Sequence, residues 1–325
     1  MGMTESLRPP TLEEVRAAAE RLAPFVSRTP LVRLQSDGPS RIFLKLENLQ
    51  PIGSFKVRPA ASAISRRIDD TVDGGVYTAS SGNMAQGVAF VARALGIPAT
   101  VLLTKNTATT KAAALERLGA RTRYLPDAEW WDVIYDHGHP DERGLFVHPV
   151  ASRDVLAGDA TVGLEIYEQL PEVDTVLVPF GGGGLATGIA SVMRALKPGV
   201  RVLGAESDHC APLTAALEAG EPVETAIRPT FMAGIGVGRV LEEMWPLVKD
   251  LLAGAVVAPE SEVVDAIRFL CERHHVIAEG AGAASVASAL AGRAGEGNVV
   301  CVVSGGNLDR EDLLEILRGR IPPPH

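Results

Sequence analysis

Cysteine is scarce in this chain. Of its 325 residues only Cys210, Cys271 and Cys301 are cysteines, and they are widely separated. An odd number of isolated cysteines fits neither a disulfide framework nor the paired spacing of a zinc site. This composition is typical of a protein that stays in a reducing compartment, so we expect a cytoplasmic location.

Long apolar runs and an excess of basic residues are absent as well. No uninterrupted apolar stretch is long enough to span a bilayer, and no secretory signal peptide is visible. Aspartate and glutamate number 40 against 31 lysines and arginines, which gives a formal net charge of −9. This acidic balance disfavours nucleic acids and anionic membranes, so we expect neither as a partner.

Short apolar runs alternate with helical segments, and no internal repeat or proline-rich linker separates them. The predicted strands cover residues 75–79, 99–103, 121–125, 174–180, 200–206 and 298–303. Strands that alternate with helices favour parallel sheets covered by helices. The pattern therefore predicts an α/β protein.

Lys56 stands near the start of a predicted helix. Residues 44–51 alternate like a strand, and Ser54 is a favourable N-cap, which places Lys56 in the first helical turn. The positive end of the helix dipole disfavours a cation there. The same field, with partial burial, lowers the pKa of the amine and so favours the nucleophilic free base. Taken alone, such a position is more often an ordinary surface lysine.

Four consecutive glycines, Gly181, Gly182, Gly183 and Gly184, connect the strongest predicted strand to a helix. Consecutive backbone N–H groups at a positive helix end form a cradle for phosphate. The spacing matches neither the dinucleotide-binding fingerprint nor the P-loop, whose lysine is missing. A purely structural turn needs only one or two glycines, so the run favours a phosphate site.

A second polar segment, residues 136–141, contains His137 and His139 flanked by aspartates. Two histidines in one loop with no third ligand are weak support for a metal site. We expect a solvated turn.

Two further motifs complete a set. Ser80-Ser81-Gly82-Asn83 follows one predicted strand, and Ser304-Gly305-Gly306-Asn307 follows the last. With Ser54-Phe55-Lys56 and the glycine run, they occur in the order found in fold-type II pyridoxal-phosphate enzymes. Residues 28–309 resemble the threonine/serine dehydratase and serine racemase family.

The resemblance implies a tryptophan synthase β-like fold of two open parallel-sheet domains, with pyridoxal 5'-phosphate in the cleft between them. The large cofactor-binding domain would comprise residues 1–73 and 151–325. A small mobile domain would comprise residues 74–150.

The resemblance also implies roles for individual residues. Lys56 looks like the lysine that binds the cofactor covalently, with Phe55 beside the ring. Asn83 looks like the partner of the 3-hydroxyl and Ser304 that of the pyridine nitrogen. The amides of residues 181–184 would hold the phosphate. Lys56 and Ser81 would be the catalytic bases on opposite faces.

Implied substrate contacts lie mainly in one loop: Ser80, Ser81, Gly82, Asn83 and Met84, with Glu279 as the family's acidic residue near the site. Backbone amides at residues 81–85 would hold the carboxylate. For a divalent metal, Glu206 matches one ligand of the racemases. The second ligand position falls near Pro212, and Asp208 is the candidate substitute, so no metal site is assigned.

The chain departs from the family pattern at several positions. Gly158-Asp159 stands where the family has a Gly-Gln pair. Met84 stands where it usually has histidine or alanine, and Trp131 aligns near an arginine of the racemase-like members. Apolar walls here predict a substrate bulkier or less polar at Cβ than serine. The alternative, which the sequence supports equally, is that Met84 contributes only its backbone amide and that Trp131 packs in the core of the small domain.

The resemblance implies an ammonia-lyase, or dehydratase, that acts as a homodimer on a small-molecule amino acid. It would convert a β-hydroxy-α-amino acid such as threonine or serine into a 2-oxo acid and ammonia. Ser81 keeps an amino-acid racemase open as the alternative. A cysteine-synthase-like β-replacement enzyme and a non-catalytic amino-acid sensor that retains the cofactor are weaker alternatives.

Overall fold

The computed structural model describes residues 7–36, 38–71, 74–107 and 109–324. The first helix, α1 (Leu12–Leu22), begins with the capping box that the sequence indicates. The Thr11 hydroxyl accepts the N–H of Glu14, and the Glu14 carboxylate accepts the N–H of Thr11. Two unpaired donors of the first turn are thereby satisfied.

The larger sheet contains six strands within these ranges, in the order β1–β2–β10–β7–β8–β9. Their bounds are β1 (Leu31–Arg33), β2 (Ser40–Leu46), β7 (Thr175–Pro179), β8 (Arg201–Ser207), β9 (Gly254–Ala258) and β10 (Gly297–Val303). Every neighbouring pair is parallel except β1 with β2, where the edge strand runs antiparallel. A single antiparallel edge strand is common on such sheets.

Helices cover both faces of this sheet, as the side chains of β10 demonstrate. Val299, Cys301 and Val303 belong to a core shared with α10 (Glu260–His274) and α11 (Gly280–Leu290). Val300 and Val302 belong to a second core on the other face. That core is shared with α6 (Arg153–Gln169), α7 (Gly184–Leu196), α8 (Pro212–Ala219) and α9 (Trp245–Leu251). The last helix is α12 (Arg310–Leu317).

The smaller sheet has the order β5–β4–β3–β6 and is parallel throughout. Its strands are β3 (Val76–Ala79), β4 (Ala99–Thr104), β5 (Arg121–Leu125) and β6 (Leu145–Phe146). Its helices are α3 (Asn83–Leu95), α4 (Thr109–Arg117) and α5 (Asp127–Tyr135). The prediction of an α/β fold with two parallel-sheet domains is confirmed.

The exact domain boundaries stay a prediction. The four strands of the smaller sheet all fall within residues 74–150. One hydrophobic core nevertheless joins α3 to α2 (Val57–Arg66), which precedes that sheet in the chain. The predicted division into residues 1–73 with 151–325 and residues 74–150 therefore separates the two sheets, but it cuts through a hydrophobic core that α2 and α3 share.

One local prediction needs correction, and one helix was not predicted. Ser54 is not the N-cap: α2 begins at Val57, and Lys56 itself is the N-cap residue. Ser54 forms an isolated bridge with Gly305, although its hydroxyl accepts the Lys56 N–H at 3.3 Å. The sequence also gave no expectation for α5, although Trp130, Val133 and Ile134 have helical spacing.

Within the described residues, no helix combines the length and the apolar character needed to cross a membrane.

Candidate active site

The carboxyl ends of three neighbouring strands meet at one edge of the large sheet. Strands β2, β10 and β7 are parallel neighbours, and the chain leaves them into residues 47–56, 304–307 and 180–184. Ligands of open parallel sheets bind beyond these strand ends. The end of β3 adds residues 80–83 from the small sheet.

These loops surround a cleft of about 1160 Å³. The predicted cofactor and substrate residues all line it: Phe55, Lys56, Ser80, Ser81, Gly82, Asn83, Met84, Gly181, Gly182, Gly183, Gly184, Glu279 and Ser304. A cleft of this size accommodates a cofactor together with a substrate. The structure thus brings together residues that are up to about 250 positions apart in the chain.

Lys56 presents its amine to this cleft. Its Nζ donates to the carbonyl of Pro149 at 2.7 Å and lies 5.1 Å from the centroid of the Phe55 ring. Burial lowers the pKa of Lys56, against a smaller opposing effect of the Asp159 carboxylate. A neutral amine that donates one hydrogen to a carbonyl keeps its lone pair, which both a nucleophile and a general base require.

The glycine run forms the turn from β7 into α7. Gly183 is the N-cap at φ +89°, a conformation that favours glycine. A Cβ on Gly182 would lie 2.4 Å from Cγ2 of Val150, and one on Gly184 would lie 2.8 Å from Oδ2 of Asp159. The fold itself therefore requires glycine here, and the bare backbone at the positive end of α7 suits an anion.

Asn83 is held from two sides at the start of α3. Its Nδ2 donates to Oε1 of Glu279 at 2.8 Å, and its Oδ1 accepts Nδ2 of Asn307 at 2.7 Å. Burial raises the pKa of Glu279 to about 7, against the opposing hydrogen bond from Asn83. These bonds fix the orientation of the Asn83 amide across the cleft.

Backbone contacts connect the remaining motif residues. The Ser80 hydroxyl accepts the N–H of Gly82 at 3.2 Å, which stabilises the turn before α3. The carbonyl of Ser304 accepts the N–H of Phe55 at 2.9 Å, so the loop after β10 supports the loop that carries Lys56. Ser81 is half-buried at the cleft wall.

The two apolar departures from the family pattern behave differently. Met84 is only 2% exposed and packs in the hydrophobic core of the small domain. Its side chain is therefore not a substrate wall, and its backbone amide is what remains for binding. Trp131 is 43% exposed, lines the cleft, and stacks on Tyr135 with ring centroids 6.0 Å apart.

Glu206 and Asp208 belong to no group of three metal-ligating side chains within the described residues. The Glu206 carboxylate accepts the N–H groups of Leu213 and Thr214 and the Thr214 hydroxyl. It thereby satisfies donors at the start of α8. Asp208 accepts the N–H of Glu260 at 3.2 Å.

Neither histidine of residues 136–141 is a free solvated side chain. His139 is buried, and its Nε2 lies 2.9 Å from Oε1 of Glu129. Nε2 of His137 lies 2.9 Å from Oε1 of Glu243. His137, His148 and Glu243 bring ligand atoms within 4.8 Å of one another.

This trio is poorly suited to a metal because of the tautomer of His148. Its Nδ1 accepts the N–H groups of Val150 and Ala151 at 3.0 and 2.6 Å. A neutral imidazole that accepts at Nδ1 carries its hydrogen on Nε2, so Nε2 has no lone pair for a metal. Burial also lowers the pKa of His148 to about 3, which keeps the ring neutral.

Comparisons with known proteins identify the family to which this chain belongs. Residues 22–305 match the family described as pyridoxal-phosphate dependent enzyme, and the chain belongs to this family. It is 37% identical to an L-threonine ammonia-lyase of Thermotoga maritima over 92% of this chain and 76% of that protein. It is 34% identical to a catabolic L-threonine dehydratase of Staphylococcus aureus, over 92% and 89% of the two chains.

A solved structure of maize serine racemase superposes with a TM-score of 0.87. The two share 30% identity over 96% of this chain and 98% of that one. Membership of the family makes pyridoxal 5'-phosphate the cofactor. The glycine turn and the Lys56 amine with its lowered pKa fit the phosphate and the aldehyde of that cofactor respectively.

Sequence reasoning did not identify three groups that the structure places at this site. Pro149 contributes a carbonyl to Lys56, and Asn307, quoted only as part of a motif, contributes an amide to Asn83. Asp159, noted only as a departure from the family pattern, lies against the glycine turn. A carbonyl has no sequence signal, and the position of Asp159 depends on helix packing.

Proposed function

We propose that this chain is an ammonia-lyase that converts a β-hydroxy-α-amino acid such as threonine or serine into a 2-oxo acid and ammonia. The observation that carries the proposal is the position of Lys56, whose amine has a lowered pKa in a cleft bounded by the glycine turn. The identity to a threonine ammonia-lyase and a threonine dehydratase over most of the chain supports the same reaction.

Lys56 has two tasks in this proposal, to hold the cofactor and to move a proton. Bound pyridoxal phosphate withdraws electrons from the α-carbon of the amino acid and so weakens its C–H bond. The amino group of the substrate would replace Lys56 on the cofactor, and the freed Lys56 amine, whose pKa is lowered by burial, would accept that proton. Loss of the β-hydroxyl as water, followed by hydrolytic release of the nitrogen as ammonia, yields the 2-oxo acid.

The start of α3 is suited to the substrate carboxylate. The first helical hydrogen bond there runs from Gln86 N–H to the Gly82 carbonyl at 3.3 Å. The N–H groups of residues 83–85 precede it, at the positive end of a helix of 13 residues. Such groups bind anions, and residues 83 and 84 line the cleft.

A product assay tests the reaction. The holoenzyme is incubated with L-threonine or L-serine, and ammonia and the 2-oxo acid are both quantified. We expect equal amounts of the two products. Release of neither product from any β-hydroxy amino acid in a panel would refute the proposed function.

Racemisation is the second candidate function because Ser81 lines the cleft and maize serine racemase has the same fold. In this alternative Lys56 and Ser81 would exchange protons with the two faces of the α-carbon. We predict that Ser81→Ala suppresses any racemisation and spares elimination from the L-isomer, because only one of the two bases is lost.

The matched control for this variant is Ser80→Ala, which removes a neighbouring hydroxyl that supports the turn. Chiral analysis of the remaining amino acid and 2-oxo acid formation are measured together. Racemisation that persists in Ser81→Ala would mean that another group returns the proton.

A preference for a substrate bulkier or less polar at Cβ than serine is a further part of the proposal. Because the Met84 side chain is buried, this preference is assigned to Trp131. Its exposed ring offers an apolar contact to a substituent at Cβ. We predict that Trp131→Ala lowers kcat/KM for 3-phenylserine relative to serine by about tenfold, the effect of one lost apolar contact. Tyr124→Ala is the control, since Tyr124 is a similarly exposed aromatic residue on β5. An unchanged ranking of serine, threonine, 3-phenylserine and 3-hydroxyaspartate would exclude Trp131 as the determinant.

The remaining proposals concern the whole molecule. We keep a homodimer, a cytoplasmic location, and the domain division 1–73 with 151–325 and 74–150 as proposals. The residue roles given by the family resemblance are proposals too. Light scattering of the purified holoenzyme tests the dimer directly.

A further inference from the structure

Asp159 lies at the meeting point of three helices beneath the active site. It is on α6, and helix α7 faces it with Gly184 and Gly188. A Cβ on Gly184 would lie 2.8 Å from its Oδ2, and a Cβ on Gly188 would lie 3.0 Å from its Cβ. From α2, Arg58 and the N-cap residue Lys56 act on it electrostatically.

The carboxyl group of Asp159 is buried without a partner. The residue is 1% exposed, and neither oxygen makes a hydrogen bond to any described residue. Lys56 directs its amine to the carbonyl of Pro149 instead. The Arg58 guanidinium is committed to Glu47 and Glu165. Burial of a carboxyl group without a hydrogen-bond partner costs free energy, so a ligand that supplies a donor or an acceptor would be bound favourably.

The charge of the Asp159 carboxyl group decides whether it accepts or donates a hydrogen bond. An ionised carboxylate next to the phosphate site would repel a phosphate dianion, whereas a protonated carboxyl group can donate a hydrogen bond to it. Burial raises the pKa of Asp159 to about 7, despite the opposing effects of Lys56 and Arg58, and Glu47 acts in the same direction as burial. The neutral acid is therefore accessible near neutral pH, and a bound phosphate would favour it further.

We propose that Asp159 is a positioning residue that enters the complex as a neutral acid and donates a hydrogen bond to the cofactor phosphate at the start of α7. This rests on the proposed function only through the cofactor, not through the reaction. The consequence is that, at a pH above the pKa of Asp159 in the apoenzyme, cofactor binding is accompanied by uptake of a proton at Asp159. The phosphate affinity then declines as the pH rises above about 7.

The test measures binding without substrate, so that failure of this inference is distinguishable from failure of the proposed reaction. Apoenzyme is titrated with pyridoxal 5'-phosphate and with pyridoxal, which lacks the phosphate, between pH 6 and 9. The ratio of the two affinities isolates the phosphate contribution and cancels effects on Lys56. In the wild type we expect this ratio to fall by about tenfold per pH unit above pH 7.

Asp159→Asn is the conservative variant, because its amide donates without titrating. We expect its affinity ratio to be independent of pH between 7 and 9 and to exceed that of the wild type at pH 9. Asp159→Ala removes the donor and should lower the ratio by about tenfold at pH 6.5. The melting temperature of each apoenzyme verifies folding.

Two outcomes would overturn the inference. One is the same pH dependence of the affinity ratio in the wild type and Asp159→Asn. The other is a loss of affinity with pH that is equal for both ligands, which would place the action of Asp159 on Lys56 instead of the phosphate.

Discussion

Replacing Lys56 with alanine is expected to lower the rate of 2-oxo acid formation by at least about 10³-fold. Positioned proton transfer alone contributes roughly 10²–10⁴-fold, and the variant also loses the covalent attachment of the cofactor. The structure offers Lys56 as the amine for both tasks, since its pKa is lowered by burial and its Nζ is held at the carbonyl of Pro149. Steady-state rates with L-threonine and L-serine measure the loss.

Lys111→Ala is the matched control for cofactor attachment, because Lys111 also lines the cleft. The Lys111 variant should retain the absorbance of the lysine-bound cofactor, and the Lys56 variant should lose it. Substantial turnover in Lys56→Ala would remove Lys56 from both of its assigned tasks.

The second large effect is on stability and concerns a buried ionic cluster behind Lys56. Arg58 donates from Nε and Nη2 to the two carboxylate oxygens of Glu47 at 2.7 and 2.8 Å, and from Nη1 to Glu165 at 2.8 Å. The Arg58 and Glu47 side chains are fully buried. Lys45 completes the cluster, with its Nζ 2.5 Å from Oε2 of Glu165. The cluster attaches the first turn of α2 to β2 and α6.

We predict that Arg58→Met lowers the free energy of unfolding by about 3–5 kcal/mol, because it leaves the buried Glu47 carboxylate unpaired. Urea denaturation of the apoenzyme measures the change. The control is Arg194→Met, which breaks the exposed pair of Arg194 with Asp250 and should cost about 1 kcal/mol at most.

A double variant distinguishes the ion pair from simple loss of packing. Glu47→Gln added to Arg58→Met should cost clearly less than the sum of the single changes, because no ionised carboxylate is then left buried at residue 47. Strictly additive costs would show that the pair is not coupled. A cost of Arg58→Met no larger than that of Arg194→Met would contradict the role of the cluster.

The sequence was sufficient to predict the fold class and the gathering of the motifs. Three of the motifs closely follow an apolar strand, and the Lys56 motif follows β2 after the connection of residues 47–53. Parallel strands bring their carboxyl ends to one edge. The Lys56, glycine and Ser304 loops therefore had to meet once β2, β10 and β7 were neighbours. The strand order itself was not predicted, because a local sequence pattern does not encode it.

What could not be predicted depends on packing between distant segments. Met84 departs from the family pattern, which left an apolar substrate wall and a contact through its backbone alone equally open. Its side chain belongs to the small-domain core. Glu206 matches one metal ligand of the racemases, although no metal site was assigned. Its oxygens accept three hydrogen bonds at the start of α8, which the local sequence does not indicate. Asp159 gains its environment from α2 and α7, which no local pattern around residue 159 indicates.

The central claim is that Lys56 is the residue that binds the cofactor in this cleft. The most direct measurement is borohydride reduction of the holoenzyme, followed by proteolysis and mass spectrometric mapping of the modified lysine. We expect one modified peptide, with the cofactor on Lys56. Modification of Lys111 or any other lysine in place of Lys56 would contradict the account.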